Sequence, residues 1–359
     1  MKKETYLKYI KYTLSTYNKV NKKELLKKYK SENLVKKKES QQTLFDDDLV
    51  DIDYSNLEDT LFQCIEKNEI ALKIYEKYQF LKSYKYSVLF KSSNYNELIE
   101  SLKDVPNYEY KADEIKLFDN LSMPEKIEND DLIIIRFNKK YEAVHPQTTE
   151  ELLLHYPVIV AIHKDVEIVE FRFDSIKRLF IEGTRDQTVY IKLVDDIISY
   201  FKDNNWGLLE PLDLDFMIEE TKRDDNQNIK LISQYMFLKN GGKAQLTVGN
   251  NEEYVLPIIG ELKNIMNELE EELLKNIKIK DALEQFIYEK EETTDYPWIE
   301  VLFLDSEGVK TRHNHVKFTF NYMNKSYCLI TYYYNDTLVE MERMNDVTRF
   351  IGKNIKQSN

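Results

Sequence analysis

The sequence predicts an α+β protein: a basic helical N-terminal arm, a small helix-rich domain, then two antiparallel sheet-plus-helix modules joined through a long helix. Three observations lead there. Apolar residues recur at helical spacing at both ends of the chain, and alternating runs bounded by turn signals fill the middle and the C-terminal region. Only 8 glycines and 7 prolines occur in 359 residues, so long helices and plain hairpins should dominate over tight turns and glycine loops. The length exceeds the roughly 250–300 residues that one core usually fills, which predicts several domains. The expected division is 1–45 (basic arm and linker), 46–127 (helix-rich), 128–255 (antiparallel sheet plus helices) and 256–359 (long helix, four-stranded sheet, closing helix).

In chain order, Tyr6, Ile10, Leu14 and Tyr17 share one helical face. Asn21 with Glu24 resembles a capping box opening a second helix through Leu25, Leu26 and Tyr29. Residues 31–54 read as a linker, and residues 46–59 hold seven acidic side chains and no basic one. Ser55 with Glu58 is a second capping-box pattern, and the apolar positions Leu57, Leu61, Ile65, Ile70, Ile74, Tyr78 and Leu81 extend two helices to about residue 83. A strand over 86–90 and a helix over 95–102 follow.

Strand alternation begins at Leu132, where 132–137 and 141–144 read as one hairpin and 158–162 with 167–173 as another, turning at Lys164 and Asp165. Val169, Phe171 and Phe173 fall on one side of the last strand and Glu170 and Arg172 on the other, the pattern of a sheet with one wet face. Helices are expected over 175–180 and 189–201. Asn240-Gly241 marks a hairpin between 235–238 and 244–248. Leu262, Met266, Leu269, Leu273, Ile277, Leu283 and Ile287 support one long helix over 257–290, or two broken near Lys278. Strands over 298–304, 316–322, 327–333 and 338–342 and a helix from about Asp346 complete the chain. Residues 156–181 and 327–352 align with single-residue gaps, which reads either as an internal duplication or as the general likeness of any hairpin followed by a helix.

Charge is the most informative feature for function. Thirteen lysines against four glutamates give the first thirty-nine residues a formal +9 in a chain of −13, so the remainder carries −22. An asymmetry of this size calls for an electrostatic partner. The lysine-over-arginine bias, 43 to 8, resembles AT-rich coding, typical of low-GC bacteria and their mobile elements. Even so, thirteen lysines far exceed the about five that the chain-wide frequency would place there.

Several chemistries find no support. Neither G-x-x-x-x-G-K-[ST] nor G-x-G-x-x-G occurs, nor a G-x-S-x-G elbow, nor H-E-x-x-H. Two cysteines, Cys64 and Cys328, allow neither a disulfide framework nor a cysteine zinc site. No apolar run approaches a membrane span, so a cytoplasmic protein with no membrane contact is expected. His313 and His315, two apart, would project from one strand face as metal ligands or else sit in a solvated turn. Glu109 and Lys111 form an E-x-K pattern of the kind a metal-dependent nuclease carries, without a convincing second carboxylate upstream.

The leading expectation is a non-catalytic nucleic-acid-binding or assembly subunit, of a bacterial mobile-element or antiviral defence system, that needs no cofactor or metal. Lys2, Lys3, Lys8, Lys11, Lys19, Lys22, Lys23, Lys27, Lys28 and Lys30 would contact the phosphates of DNA or RNA. One alternative is a protein-interaction module whose basic arm docks on an acidic protein surface, such as residues 46–59 of its own chain or of a second copy in a homo-oligomer. The other is a metal-dependent nuclease around Glu109 or His313.

Overall fold

The computed structural model describes residues 2–37, 49–111, 115–181, 188–223, 228–239, 241–249, 254–291, 294–304, 312–333 and 340–358. It is an α+β fold built on antiparallel sheet. Internal contacts divide the chain into two units, Met1–Pro211 with Asp336–Asn359, and Leu212–Asn335.

In the first unit the basic segment forms two helices, α1 (Lys3–Thr16) and α2 (Lys19–Ser31). The cap of α2 is Asn18, whose side chain accepts from the Asn21 amide, so the expected Asn21–Glu24 box is displaced by three residues. A short parallel pair follows, β1 (Val35–Lys37) with β2 (Val50–Ile52). Helices α3 (Leu57–Lys67) and α4 (Glu69–Leu81) start on Asn56 and Asn68, each accepting a first-turn amide, and the cap of α3 is one residue beyond the expected Ser55.

The two basic helices do not stand off as an arm. Tyr6, Ile10, Leu14, Leu25, Leu26 and Tyr29 are buried in one cluster with Leu61, Ile65, Leu72 and Tyr75 of α3 and α4. Lysine content misled here because a lysine-rich helix still needs only one apolar stripe to pack.

The sheet of this unit runs β8-β3-β7-β6-β5-β4, antiparallel throughout. Its strands are β3 (Tyr86–Ser92), β4 (Glu125–Glu128), β5 (Leu132–Val144), β6 (Glu151–His163), β7 (Ile168–Phe173) and β8 (Leu209–Pro211). Helix α5 (Tyr95–Ser101) follows β3, and α6 (Thr188–Asp203) follows β7. The two expected strands 132–137 and 141–144 are one, because Lys139 and Lys140 between them do not turn. Buried Lys139 extends to the Asp119 carbonyl at 2.5 Å, and Lys140 pairs with Glu142 at 2.7 Å. The helix expected over 175–180 is reduced to a single 3-10 turn, Arg178–Phe180.

Helices cover both faces of this sheet. Tyr200, Phe201 and Tyr190 of α6 pack on Phe137, Phe171 and Phe173 from one side. On the other side Thr13 of α1 exchanges hydrogen bonds with the His155 backbone, and Glu76 of α4 pairs with Arg136. The face expected to be wet is therefore dry: Glu170 and Arg172 are fully buried. Period-two alternation marks two faces but does not say that the polar one meets water.

The second unit carries α7 (Phe216–Lys222) and a five-stranded antiparallel sheet in the order β10-β9-β11-β12-β13. The strands are β9 (Ile229–Phe237), β10 (Lys243–Thr247), β11 (Asp295–Phe303), β12 (Asn314–Thr319) and β13 (Leu329–Tyr332). Gly241 takes a positive φ of 83° in the β9–β10 turn, as that hairpin requires, while Asn240 lies outside the described residues. In place of one long helix, or two broken near Lys278, there are three, α8 (Ile259–Glu268), α9 (Glu270–Lys275) and α10 (Ile277–Glu291), broken at Leu269 and, two residues before Lys278, at Asn276. Their apolar stripe is little used for burial, since Ile265, Leu269, Leu274 and Ile277 remain about half exposed. Nothing in the packing therefore enforces a straight helix.

The last helix, α11 (Glu342–Ser358), returns to the first unit and begins four residues before the expected Asp346. Of the strand expected over 338–342, residues 338 and 339 lie outside the described residues, and Glu340 and Met341 form a turn. The alignment of 156–181 with 327–352 therefore fails locally: Ile176–Phe180 is extended chain and a 3-10 turn, whereas Val347–Ile351 lies inside α11.

Candidate functional site

Two features of the first unit have chemistry to offer: the lysine surface of α1 and α2, and a cleft at the edge of β5. Of the expected phosphate-contacting lysines, Lys2, Lys8, Lys11, Lys19, Lys27 and Lys30 are exposed and Lys3, Lys22, Lys23 and Lys28 half-buried. At 100° per residue, Lys19, Lys23, Lys27 and Lys30 fall in one stripe along α2, at steps of about 6 Å per four residues. Leu25 and Tyr29, turned well away from the stripe, and Leu26, at its edge beside Lys19, are buried in the core, which fixes the stripe in place.

Lys22 and Lys28 of α2 are turned to the chain's own acids. Lys22 pairs with Glu58 of α3 at 3.0 Å, and Lys28 pairs with Glu340 at the entry to α11. Glu24 Oε1 accepts the Glu340 amide at 3.0 Å and Oε2 accepts the Tyr78 hydroxyl at 2.8 Å, with burial raising the Glu24 pKa. Of the acid-rich stretch 46–59, residues 46–48 lie outside the described residues, Asp53 caps Ser55 at 2.8 Å, and Glu58 takes Lys22.

Beneath α1 a chain of buried polar groups runs inward. Arg136 of β5 pairs with Glu76 at 2.9 Å and Glu125 at 3.3 Å, donates to the Glu76 carbonyl at 2.9 Å, and lies over the Phe80 ring, 4.3 Å from its centroid. The Tyr6 hydroxyl donates to Glu76 and also approaches His155 Nδ1 at 3.2 Å, while His155 Nε2 lies 3.1 Å from Asn138 Oδ1. Burial, then Arg136 and Lys82, hold the His155 pKa well below its usual value. The uncharged ring has one proton. The single Tyr6 hydroxyl proton goes to Glu76, so Tyr6 is no donor to Nδ1, and a ring proton on Nδ1 would be donated to the Tyr6 oxygen.

Asn138 lines two adjoining cavities of about 690 and 280 Å³, which share Pro106, Lys116 and Glu125. They lie where β4 begins at Glu125, beyond which the edge of β5 is met by the bridge between Phe118 and Lys139. The larger is walled by Phe118, Tyr200 and Trp206, the smaller by Tyr108, Arg136 and Glu76. Arg136 Nε and the Tyr108 hydroxyl are buried without a hydrogen-bond partner among the described residues. No sequence spacing could have shown this cleft, since its lining is drawn from residues as far apart as Glu76 and Trp206.

Glu109 and Lys111, the E-x-K pair, sit 3.7 Å apart at the smaller cavity. His315 of β12 faces Glu300 at 3.1 Å and stacks on Tyr333, while His313 precedes the strand. Among the described residues no group of three or more His, Cys, Asp or Glu side chains is arranged to hold a metal ion, and no helix is long and apolar enough to cross a membrane. Comparison of the chain with protein-family models, with curated proteins and with solved structures finds no match.

Proposed function

We propose that this chain is a nucleic-acid-binding or assembly subunit that contacts phosphates through the lysines of α1 and α2. The observation carrying this reading is the α2 stripe of Lys19, Lys23, Lys27 and Lys30, held on a helix whose other face is core. Fixed cations lose little order on binding, and phosphate contacts of this kind carry affinity without sequence preference. Elsewhere the chain's excess of acid disfavours a polyanion, so binding should be confined to this face.

The test is fluorescence anisotropy with labelled single- and double-stranded DNA and RNA. Neutralising four phosphates should make affinity fall about 100-fold between 50 and 200 mM salt. Replacing the four stripe lysines by glutamine should remove most of the binding and flatten that salt dependence. Unchanged affinity in the fourfold variant would sink the proposal.

A second reading rests on the Lys22–Glu58 and Lys28–Glu340 pairs, which make α2 a clasp on the chain's own acids. Under it, Lys22→Gln with Lys28→Gln lowers stability while leaving nucleic-acid affinity where it was. The same pair of measurements separates the two readings.

A further inference from the structure

We infer that α8 and α10 form one half of a dimer interface: their shared apolar face, turned away from β9, packs against the same face of a second copy of this chain. The inference concerns the second unit alone and asks nothing of the lysines of α2.

The two helices lie side by side and antiparallel, since Lys263 near the start of α8 pairs with Glu291 at the end of α10 at 2.9 Å. Both face β9 across a cleft. The residues lining that cleft include Gly260, Lys263, Asn264 and Asn267 on α8, and Glu284, Ile287, Tyr288 and Glu291 on α10. At 100° per residue, Ile265 and Leu269 fall roughly 170° round from the first set, and Ile279 and Phe286 roughly 140° round from the second. All four therefore point to the side away from β9.

That side is apolar and uncovered. Ile265, Leu269, Ile279 and Phe286 are 51, 49, 54 and 43 % exposed. At roughly 100 Å² each they leave on the order of 400 Å² of apolar surface, the size of patch that marks an interaction site. Beneath them the helices have little core of their own, because among the described residues α8 buries Ile259 alone, α10 buries Ile287 alone and α9 buries none. Helices this short depend on packing for their stability.

Charge decides the occupant. Glu268, Glu270, Glu271 and Glu272 disfavour both an anionic membrane and a nucleic acid, because interfacial helices set lysine or arginine where these acids stand. A second copy fits. The border of the apolar face is acidic on α8, at Glu261 and Glu268, whereas on α10 it carries Lys278 and Lys290 with one acid, Glu289, which accepts from Gln285 at 3.2 Å. A two-fold axis parallel to the helices lays α8 of each copy on α10 of the other, so the acidic border meets the more basic one twice. Glu261 and Lys290 stand at the same end of the helix pair, as the neighbouring Lys263–Glu291 contact shows. Each Glu261 thus meets the Lys290 of the other copy. Four helices in this arrangement make a bundle, and with its polar border the face approaches the roughly 800 Å² per partner of a stable interface.

Sedimentation equilibrium of the intact protein should give twice the 43.0 kDa of one chain. Ile265→Glu with Phe286→Glu should reduce that to a single chain while the circular-dichroism spectrum and cooperative melting are retained, since both side chains stand about half exposed on the chain itself. Charge reversal then tests the pairing. Glu261→Lys and Lys290→Glu should each weaken self-association about tenfold or more, because like charges then face each other across the two-fold. An equimolar mixture of the two variants should recover it, since both contacts in the mixed pair are again of opposite sign. Should the double glutamate variant fail to melt cooperatively, the charge-reversed pair decides alone. An intact protein that is a single chain at about 100 µM, weaker than any specific dimer of this area, would overturn the inference. So would a dimer that survives Ile265→Glu with Phe286→Glu, or a mixture of charge variants no tighter than either component.

Discussion

His155 and His163 show how much acid sensitivity the first unit contains. Burial, followed by Arg136 and Lys82 for His155, lowers the folded pKa; burial also lowers that of His163, against the opposing pull of Glu170. The unfolded chain takes up a proton near pH 6.5 and the folded one only further down, so stability is intact above that pH and lost on acidification. Each histidine should contribute a loss of about 1.4 kcal/mol per pH unit below 6.5 until its folded pKa is reached. Glu170 acts later. Burial opposes its charge, but Arg172 at 2.6 Å and His163 at 2.9 Å outweigh that and hold its pKa at about 2, so its contribution is lost only as pH falls below the ordinary carboxylate range. Urea denaturation at pH 7.5, 6.0 and 5.0 should show the decline, and His155→Gln should flatten it. A stability that stays level across that span would contradict the assignment. The sequence displays these residues without their meaning: Glu170 and Arg172 alternate as solvent-facing residues would, and contacts with Met341, Asn345 and Thr348, about 170 positions away, make that face interior.

Secondary structure was most legible wherever local chemistry decides it. The apolar stripes of α1, α3, α4 and α6 and the β9–β10 hairpin follow from spacing and turn residues, whereas caps moved by one to three residues because several Asn and Ser side chains compete for the same first-turn amides. Tertiary packing decided the rest. Residues 132–144 stay a single strand because β6 pairs with all of it, from Leu132 with His163 to Val144 with Glu151. Helix α11 starts early because the turn at Glu340 and Met341, held by the Met341 amide donating to the Leu81 carbonyl at 2.9 Å, leads directly into Glu342. Close packing of α11 also yields a sharp test. A methyl group added at Gly352 would lie 2.5 Å from Val166 Cβ and 2.8 Å from its Cγ1, at the turn between β6 and β7. Gly352→Ala should therefore destabilise the protein by about 1–3 kcal/mol, despite alanine's higher helix propensity. Chemical denaturation checks the sign: if propensity prevailed, the variant would be more stable by up to about 1 kcal/mol.

On the scale of the whole molecule, the question is whether the basic segment is an appendage or part of the fold, and magnitudes decide it. Tyr6, Tyr9, Ile10, Leu14, Leu25, Leu26 and Tyr29 are at most 4 % exposed. At about 1.5–3 kcal/mol for each large apolar side chain, their removal would forfeit about 10–20 kcal/mol, against a usual net stability of about 5–15 kcal/mol for a domain. Deleting residues 1–33 should thus unfold the first unit rather than release a soluble body lacking its nucleic-acid contacts. Loss of binding in such a truncation would say nothing about phosphates. Charge-removing variants are the informative ones, because Lys19, Lys27 and Lys30 are exposed and their replacement by glutamine leaves the apolar face of α2 untouched. Circular dichroism and thermal melts of the truncated chain beside the lysine variants should show cooperative unfolding in the latter alone. A truncation that melts like the intact protein would mean that the helices are dispensable to the core, and the rigid presentation of the α2 stripe would lose its physical basis.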